Sequence, residues 1–314
     1  MKDGFNRDID YLNISLTNIC DLNCTYCMPY NDVATYNKGR YLSVDDYKFI
    51  IKSMSELGIR KIEFTGGEPL LNPNLVDLIY YAKNYCNIEE VSLTTNGIKF
   101  SEQGLKLKNA GLDKVNIQIN SLKEYKYESL TRGGNLGLVL KSFSTALNLG
   151  IETTIDTLII KNFNDDEMDD FIQLANNFPI TLRFFEMMYV GKLDGLFNEG
   201  YLNVADIINN MDNMTKIKSY DKVCRYYYKT PNSRGKIGIV SRFYDTNCWS
   251  CDKITLSYDG KIRLCRYENK EYDIFNFINK PLTFSEVMKD IIKYKPKDFN
   301  EIKNNITYRN INEL

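Results

Sequence analysis

The chain has 314 residues, 43% of them hydrophobic, which is enough for one large core. Its formal net charge of −1 lacks the basic surplus typical of nucleic-acid-binding proteins, and no apolar run reaches membrane-spanning length. The N-terminus contains no apolar signal segment, so we expect a cytoplasmic protein without nucleic-acid or membrane partners. The absence of histidine excludes histidine general bases, Ser–His and Cys–His nucleophile pairs, and His-ligated zinc.

Short apolar runs alternate with longer periodic segments over the first part of the chain. The predicted strands are 11–16, 61–65, 90–95, 114–119, 152–160 and 181–186. The predicted helices are 43–57, with Ser43 as N-cap, then about 73–85, 101–110, 135–149 and 165–177. Six strands separated by helices predict a parallel α/β sheet, a partial (β/α)6 barrel whose active face carries the carboxyl ends of the strands.

After Val190 the alternation stops. Polar and aromatic segments that predict hairpins follow, with one terminal helix over about 283–293. We therefore expect two parts, residues 1–190 and residues 191–314, with the second packed on the first.

Three cysteines follow the first strand directly, in the pattern C-x3-C-x2-C: Cys20, Cys24 and Cys27. Three thiolates on one loop can hold three irons of a [4Fe–4S] cluster and leave the fourth iron without a protein ligand. Zinc is the alternative, but zinc sites close with four ligands and this loop offers three. The pattern favours an iron–sulfur cluster on the active face.

A GGEP motif, residues 66–69, follows the second strand. Its glycines allow close approach of a backbone to a ligand, and Glu68 can accept hydrogen bonds from an ammonium group. Taken alone the motif is also typical of an ordinary strand-to-helix turn. Its position at the strand next to the cysteine loop favours a shared site.

A second cysteine triplet, Cys248, Cys251 and Cys265, has the spacing C-x2-C-x13-C. A zinc knuckle is the alternative, although the motif again lacks a fourth ligand. Cys224 is either a packed thiol or a fourth ligand to this triplet, and the tyrosines at 226–228 form either a hairpin packing face or a stacking surface.

The run CDLNCTYC followed by FTGGEP resembles the radical S-adenosylmethionine (SAM) superfamily. The resemblance implies that Cys20, Cys24 and Cys27 bind a [4Fe–4S] cluster whose open iron chelates SAM. Gly66, Gly67 and Glu68 would then line the methionine amino group, and Tyr26 would lie beside the adenine. An electron for SAM cleavage implies a reducing partner of the flavodoxin or ferredoxin type.

Nearly the whole chain is similar to one family in that superfamily, the GTP 3′,8-cyclases of molybdenum-cofactor biosynthesis. The matching segments are FNRDIDYLNIS, CTYCMP, FTGGEPLL, LTTNG, TRGG, FNDDE, RFFEMM and the second cysteine triplet. The similarity implies a radical SAM partial barrel over 1–190 and a twitch-like region over 191–314, whose triplet holds a second [4Fe–4S] cluster. Further residues assigned to cofactor binding are Gln118, Met188 and Thr94. Thr94 would also lie on the substrate side of the site, together with Arg183.

Several positions depart from the family pattern. Asn13, Glu63 and Thr154 stand where positive charges are usual, and Lys253 and Thr255 replace two arginines. Each lost charge-assisted hydrogen bond to a triphosphate typically costs ~1.5–3 kcal/mol.

We therefore expect a substrate other than GTP, either a peptide or a small natural-product precursor, facing Glu63, Arg183 and Lys253. A peptide substrate would need a separate recognition protein. The alternatives are a divergent GTP 3′,8-cyclase and, in another class, a non-catalytic iron–sulfur redox protein.

Overall fold

The computed structural model describes residues 1–27, 40–187, 199–209, 211–219, 223–224, 226–241, 248–268, 270–298 and 301. Met188, assigned above to SAM, lies outside these residues. The described residues form a mixed α/β fold built on one twelve-stranded sheet.

Six parallel strands form the centre of the sheet, adjacent to one another in chain order. They are β1 Tyr11–Ser15, β2 Lys61–Thr65, β3 Glu90–Thr95, β4 Lys114–Gln118, β5 Glu152–Ile159 and β6 Thr181–Glu186. Their apolar side chains pack under the helices because a parallel sheet is buried on both faces. All six predicted strands are present, and the predicted partial (β/α)6 barrel is confirmed.

The helices of the first part lie between these strands. They are α1 Val44–Glu56, α2 Leu75–Asn84, α3 Phe100–Ala110, α4 Glu124–Thr131, α5 Leu136–Asn148 and α6 Met168–Asn177. Ser43 caps α1 as predicted, because its Oγ accepts from the amide of Asp46 at 3.2 Å while the Asp46 carboxylate accepts from the amide of Ser43 at 2.9 Å. Helix α4 was not predicted.

The C-terminal part extends the sheet at both ends. Its strands are β7 Thr215–Lys218, β8 Tyr226–Lys229, β9 Lys236–Val240, β10 Lys253–Leu256, β11 Lys261–Arg263 and β12 Tyr272–Asp273. The strand order is β12-β11-β10-β1-β2-β3-β4-β5-β6-β9-β8-β7, with β10 parallel to β1 and β9 parallel to β6. The sheet therefore stays open, and the two edges of the central six strands are both covered by later segments.

Two further helices belong to this part, α7 Val204–Asn209 and α8 Pro281–Ile292. Tyr227 and Tyr228 are buried on β8, so these two rings form a packing face. In the described part of the chain no helix has both the length and the apolarity to cross a membrane.

Candidate active site

One cavity of about 240 Å³ brings together residues from both parts of the chain. Most of the residues expected to form the site line it, namely Cys20, Cys24, Tyr26, Cys27, Glu63, Gly66, Gly67, Thr94, Gln118, Arg183 and Lys253. They come from the carboxyl ends of the central strands and from one face of the sheet, with Lys253 contributed by β10. The sequence motifs therefore share one space.

The first cysteine loop follows β1, with Cys24 and Tyr26 buried and Cys20 and Cys27 half-buried. The Cys20 sulfur accepts hydrogen bonds from the amide of Leu22 at 3.4 Å and from the side-chain amide of Asn96 at 3.8 Å. Burial raises the pKa of the Cys20 thiol to about 12 and that of Cys24 to about 11. Such thiols stay protonated near neutral pH unless a cation replaces the proton.

The two glycines of GGEP lie directly against the chain that leads into this loop. The amide of Gly67 donates to the carbonyl of Thr17 at 2.6 Å, and the amide of Glu68 donates to that of Ile19 at 2.8 Å. A Cβ on Gly67 would lie 2.1 Å from the Ile19 oxygen, and Gly66 has a φ of 137°. Glycine is required here because two backbones touch, and this contact fixes the loop relative to β2.

Glu68 is 1% exposed, and its carboxylate is held by three donors. Its Oε1 accepts from the hydroxyl of Thr95 at 2.7 Å and from the amide of Leu70 at 3.0 Å, while Oε2 accepts from the amide of Asn96 at 2.8 Å. Burial raises its pKa to about 7 despite these donors. A cationic ligand would favour the ionised form.

The expected adenine side is built from Tyr26 and its neighbours. Tyr26 is buried with Cys24, Leu130 and other apolar side chains, and its hydroxyl accepts from Asn120 Nδ2 at 2.7 Å. Asn120 is itself fixed, because its Oδ1 accepts from the amide of Leu158 at 2.8 Å. Gln118 is the last residue of β4, two residues before Asn120, and it also lines the cavity.

The opposite side of the cavity is charged. Glu63 Oε1 accepts from the Thr94 hydroxyl at 2.5 Å and from the Asn116 side chain at 2.9 Å, and Oε2 accepts from the Tyr11 hydroxyl at 3.2 Å. Burial opposes ionisation, but Lys253 and the bond from Thr94, with other nearby cations, hold the pKa of Glu63 below its usual value. Glu63 is therefore an ionised, fully hydrogen-bonded carboxylate.

Three cations face this carboxylate: Arg183, Lys253 and Arg266. Arg183 makes a bidentate ion pair with Asp156, with both N–O distances at 2.6 Å. The Lys253 ammonium lies 4.0 Å from the centroid of the Tyr11 ring, and burial lowers its pKa. Arg266 was missed by the sequence reasoning, although its position directly after Cys265 could have indicated it.

The second cysteine triplet lies beside these cations. Cys248 begins a single 3₁₀ turn, Cys251 follows that turn, and Cys265 lies just beyond β11. Burial raises the pKa of Cys265, and the neighbouring Cys251 and Cys248 thiols add to this. The pKa of Cys251 is lowered, because Lys295 and Arg266 outweigh its burial. Three sulfurs next to positive charge suit a thiolate-ligated iron–sulfur cluster.

The described residues include no group of three Cys, Asp or Glu side chains placed to hold one metal ion. In a [4Fe–4S] cluster each cysteine binds a different iron, so the sulfurs stand further apart than around a single ion. Cys224 is fully buried against Gly238 of β9, where an added Cβ would lie 2.6 Å from its sulfur. This is the environment of a packed thiol.

Comparisons with known proteins agree with these two constellations. The family model described as the radical SAM superfamily matches residues 14–175, and the model described as Molybdenum Cofactor Synthesis C matches residues 180–301. Solved structures with a similar fold include SuiB from Streptococcus suis bound to S-adenosylmethionine, with a TM-score of 0.64, 13% identity and coverage of 92% of this chain and 68% of that chain. Native anSMEcpe with bound AdoMet has a TM-score of 0.57 and 16% identity, and covers 90% of this chain and 84% of that chain.

Curated relatives are more similar. A GTP 3′,8-cyclase from Clostridium botulinum strain Langeland is 34% identical over 304 residues, which cover 96% of this chain and 95% of the relative. One from Alkaliphilus oremlandii is 34% identical over 299 residues, covering 95% of this chain and 93% of the relative. The protein is thus a radical SAM enzyme that uses SAM and [4Fe–4S] clusters at two sites. Within the superfamily it belongs to the GTP 3′,8-cyclase family.

The expectation of a peptide or another substrate in place of GTP is wrong. Relatives named GTP 3′,8-cyclase match almost the full chain, and residues 180–301 match the molybdenum-cofactor model. The physical reason lies in the cavity. The prediction counted the cations lost at positions 13, 63 and 154 one by one. In the structure Arg183, Lys253 and Arg266 converge on the cavity. The Glu63 carboxylate is already hydrogen-bonded to three side chains.

We predict that Glu68→Gln weakens SAM binding by roughly 10- to 100-fold at pH 8. The variant loses the expected charge-assisted contact between the carboxylate and the SAM ammonium group, and such a contact is worth about 1.5–3 kcal/mol. The ratio of the SAM affinity of the parent to that of the variant should fall as pH falls through about 7, because SAM binding to the parent must then first deprotonate Glu68. Calorimetry on anaerobically reconstituted protein at pH 6, 7 and 8 measures this ratio. The exposed Glu102→Gln variant is the control, and a ratio independent of pH would contradict the assignment.

Proposed function

We propose that this protein binds GTP in the cavity and joins C3′ to C8 of the nucleotide in a SAM-dependent radical reaction. The observation that carries the proposal is one cavity whose lining joins the first cysteine loop and the Gly66–Gly67 pair to three cations, of which Arg266 also acts on Cys251 of the second triplet. A radical source and an anion-binding wall in one enclosed space are what this reaction class requires.

The residues on the first side are assigned to the SAM-binding half. Cys20, Cys24 and Cys27 would hold the first cluster, and Glu68 with the Gly66–Gly67 backbone would receive the methionine ammonium group. When bound, SAM and its cluster supply a 5′-deoxyadenosyl radical that can abstract a hydrogen atom. Burial of Tyr26 and its bond to Asn120 support a fixed adenine position. Met188 is retained as a proposed SAM contact on family similarity.

The residues on the second side are assigned to GTP. Arg183 is pre-oriented by Asp156, whereas Lys253 and Arg266 form no ion pair with a carboxylate among the residues that the structure describes. The cavity wall holds these three cations together with three carboxylates, Glu63, Asp156 and Glu186, of which Glu186 already accepts from the Ser241 hydroxyl and the amide of Ala205. The convergence of three cations on one cavity supports binding of a polyanion, and Thr94 supports the site by holding Glu63.

The second cysteine triplet is assigned to the second cluster. Cys248, Cys251 and Cys265 provide three thiolates, so one iron would again have no cysteine ligand from the triplet. Arg266 follows Cys265 directly and also acts on Glu63, which supports a location of this cluster beside the GTP side of the cavity.

We further propose a reducing partner of the flavodoxin or ferredoxin type and a cytoplasmic location. The division into a radical SAM part over residues 1–190 and a twitch-like part over residues 191–314 is kept as a proposal.

The proposal is tested by incubating reconstituted, reduced enzyme with GTP and SAM under anaerobic conditions. We expect 5′-deoxyadenosine and a 3′,8-cyclised nucleotide to form, and mass spectrometry detects both products. Changing Cys20, Cys24 and Cys27 to Ala should abolish both products. Changing Cys248, Cys251 and Cys265 to Ala should abolish the nucleotide product and leave part of the SAM cleavage. Failure of the parent enzyme to consume GTP would overturn the proposal.

Glu63 offers a second test, because it is an anion inside an anion-binding wall. Glu63→Gln removes the charge but keeps an oxygen that can accept from Thr94 and Asn116. We predict tighter GTP binding by at least about 1 kcal/mol, or about fivefold, measured by calorimetry without SAM. Glu152→Gln, at an exposed carboxylate paired with Lys114, is the matched control. Weaker GTP binding by Glu63→Gln would show that GTP lies elsewhere.

A further inference from the structure

Two buried cations from opposite ends of the chain meet at the second cysteine triplet. Arg7 lies in the segment before β1, and Lys295 lies just after α8. They are 8% and 2% exposed, respectively. A buried cation must be compensated by opposite charge or by hydrogen-bond acceptors, so the partners of each residue indicate its role.

The Arg7 guanidinium joins the Cys248 turn to the segment after α8. Its Nη1 donates to the carbonyl of Cys248 at 2.6 Å and to that of Lys297 at 2.8 Å, and Nη2 donates to that of Pro296 at 2.6 Å. Its Nε pairs with the buried carboxylate of Asp3 at 2.5 Å. Every nitrogen of the guanidinium is therefore engaged, and the Cys248 backbone is fixed by a planar, rigid group.

The Lys295 ammonium joins the segments that carry the other two cysteines. Its Nζ donates to the carbonyl of Lys253, two residues after Cys251, at 2.7 Å. It also donates to the carbonyl of Leu264, the residue before Cys265, and to the Cys251 thiol. Among the residues that the structure describes, Lys295 forms no ion pair with a carboxylate. The Lys295 charge acts on both Cys251 and Cys265 and favours their thiolate forms.

We propose that Arg7 and Lys295 form a two-cation clasp that holds Cys248, Cys251 and Cys265 in place, with Lys295 as the buried counter-charge of the cluster they bind. The proposal rests on the assignment of this triplet to the second cluster. Groups just outside the ligand shell orient the ligands and set the properties of the metal site. Because reduction adds a negative charge to the cluster, a fixed cation beside one thiolate favours the reduced form. Lys295 is thus a positioning residue that raises the reduction potential.

The test uses the full-length chain with Cys20, Cys24 and Cys27 changed to Ala, so that the second cluster alone contributes iron. Lys295→Met removes charge and donors, Lys295→Gln removes charge but keeps donors, and Lys295→Arg keeps both. Lys293→Met is the matched control, because Lys293 is 64% exposed and pairs with Asp290 on the surface. The readouts are iron and sulfide per chain after reconstitution and the midpoint potential from a redox titration followed by electron paramagnetic resonance.

We expect the parent, Lys295→Arg and Lys293→Met to hold about four irons per chain. Lys295→Met and Lys295→Gln should hold less than about half of that, or show a more negative midpoint potential. If Lys295→Met does not fold, as judged by circular dichroism, Lys295→Gln carries the test. Normal iron content and an unshifted potential in Lys295→Gln would overturn the counter-charge role.

The Arg7 half is tested in the same background. Arg7→Gln should lower iron content because three carbonyls lose their common donor, whereas unchanged iron content and potential would overturn its role in the clasp. The assignment itself is tested separately by changing Cys248, Cys251 and Cys265 to Ala in the protein with an intact first loop. If that variant still holds about eight irons, the assignment is wrong; if it holds about four and the Lys295 and Arg7 variants behave as the parent, the clasp alone is wrong.

Discussion

Parallel pairing of β10 with β1 brings the two halves of the site together. The register places Lys253 beside Tyr11 and Thr255 beside Asn13, while the pairing of β1 with β2 places Asn13 beside Glu63. Cys251 lies two residues before Lys253, so it is held next to the N-terminal end of β1, and the first cysteine loop follows the other end of the same strand. Without this pairing, residues some 230 positions apart in the chain would share no cavity.

The electrostatics of the cavity follow from the same arrangement. Glu63 is ionised because Lys253, Arg183 and Arg266 surround it and because Thr94, Asn116 and Tyr11 donate to it. The carboxylate in turn keeps buried cations in one place, since each would be costly alone. Burial raises the pKa of Glu68 to about 7, so near neutral pH this carboxyl is a mixture of protonated and ionised forms. The two glutamates thus differ in protonation, because cations act on Glu63 whereas burial dominates at Glu68.

Local patterns in the sequence were sufficient for the central strands, the Ser43 cap and the first cysteine loop. Alternation of apolar residues and N-capping are local properties, and both predict structure over a few residues. Helix α4 was missed because Lys123 provides no side-chain cap and the helix is short and weakly amphipathic. The extension of the sheet at both ends was missed because strand pairing over such separations leaves no local signal.

The substrate was predicted wrongly for a related reason. Comparison of single positions registered charge lost at Asn13, Glu63 and Thr154, but the field in a cavity depends on every charge that reaches it. Arg266 lies between β11 and β12 and lines the cavity, and the donors to Glu63 come from β1, β3 and β4. Family membership over nearly the full length corrected the inference that residue-by-residue counting had produced.

The central claim is that the radical source and the GTP site share one cavity. Joining C3′ to C8 requires loss of the hydrogen at C3′. GTP deuterated at C3′ therefore reports directly on whether the radical source reaches the bound GTP. We predict that the 5′-deoxyadenosine formed by reduced enzyme with this GTP carries deuterium, measured by mass spectrometry. Unlabelled 5′-deoxyadenosine at saturating labelled GTP would contradict the shared cavity.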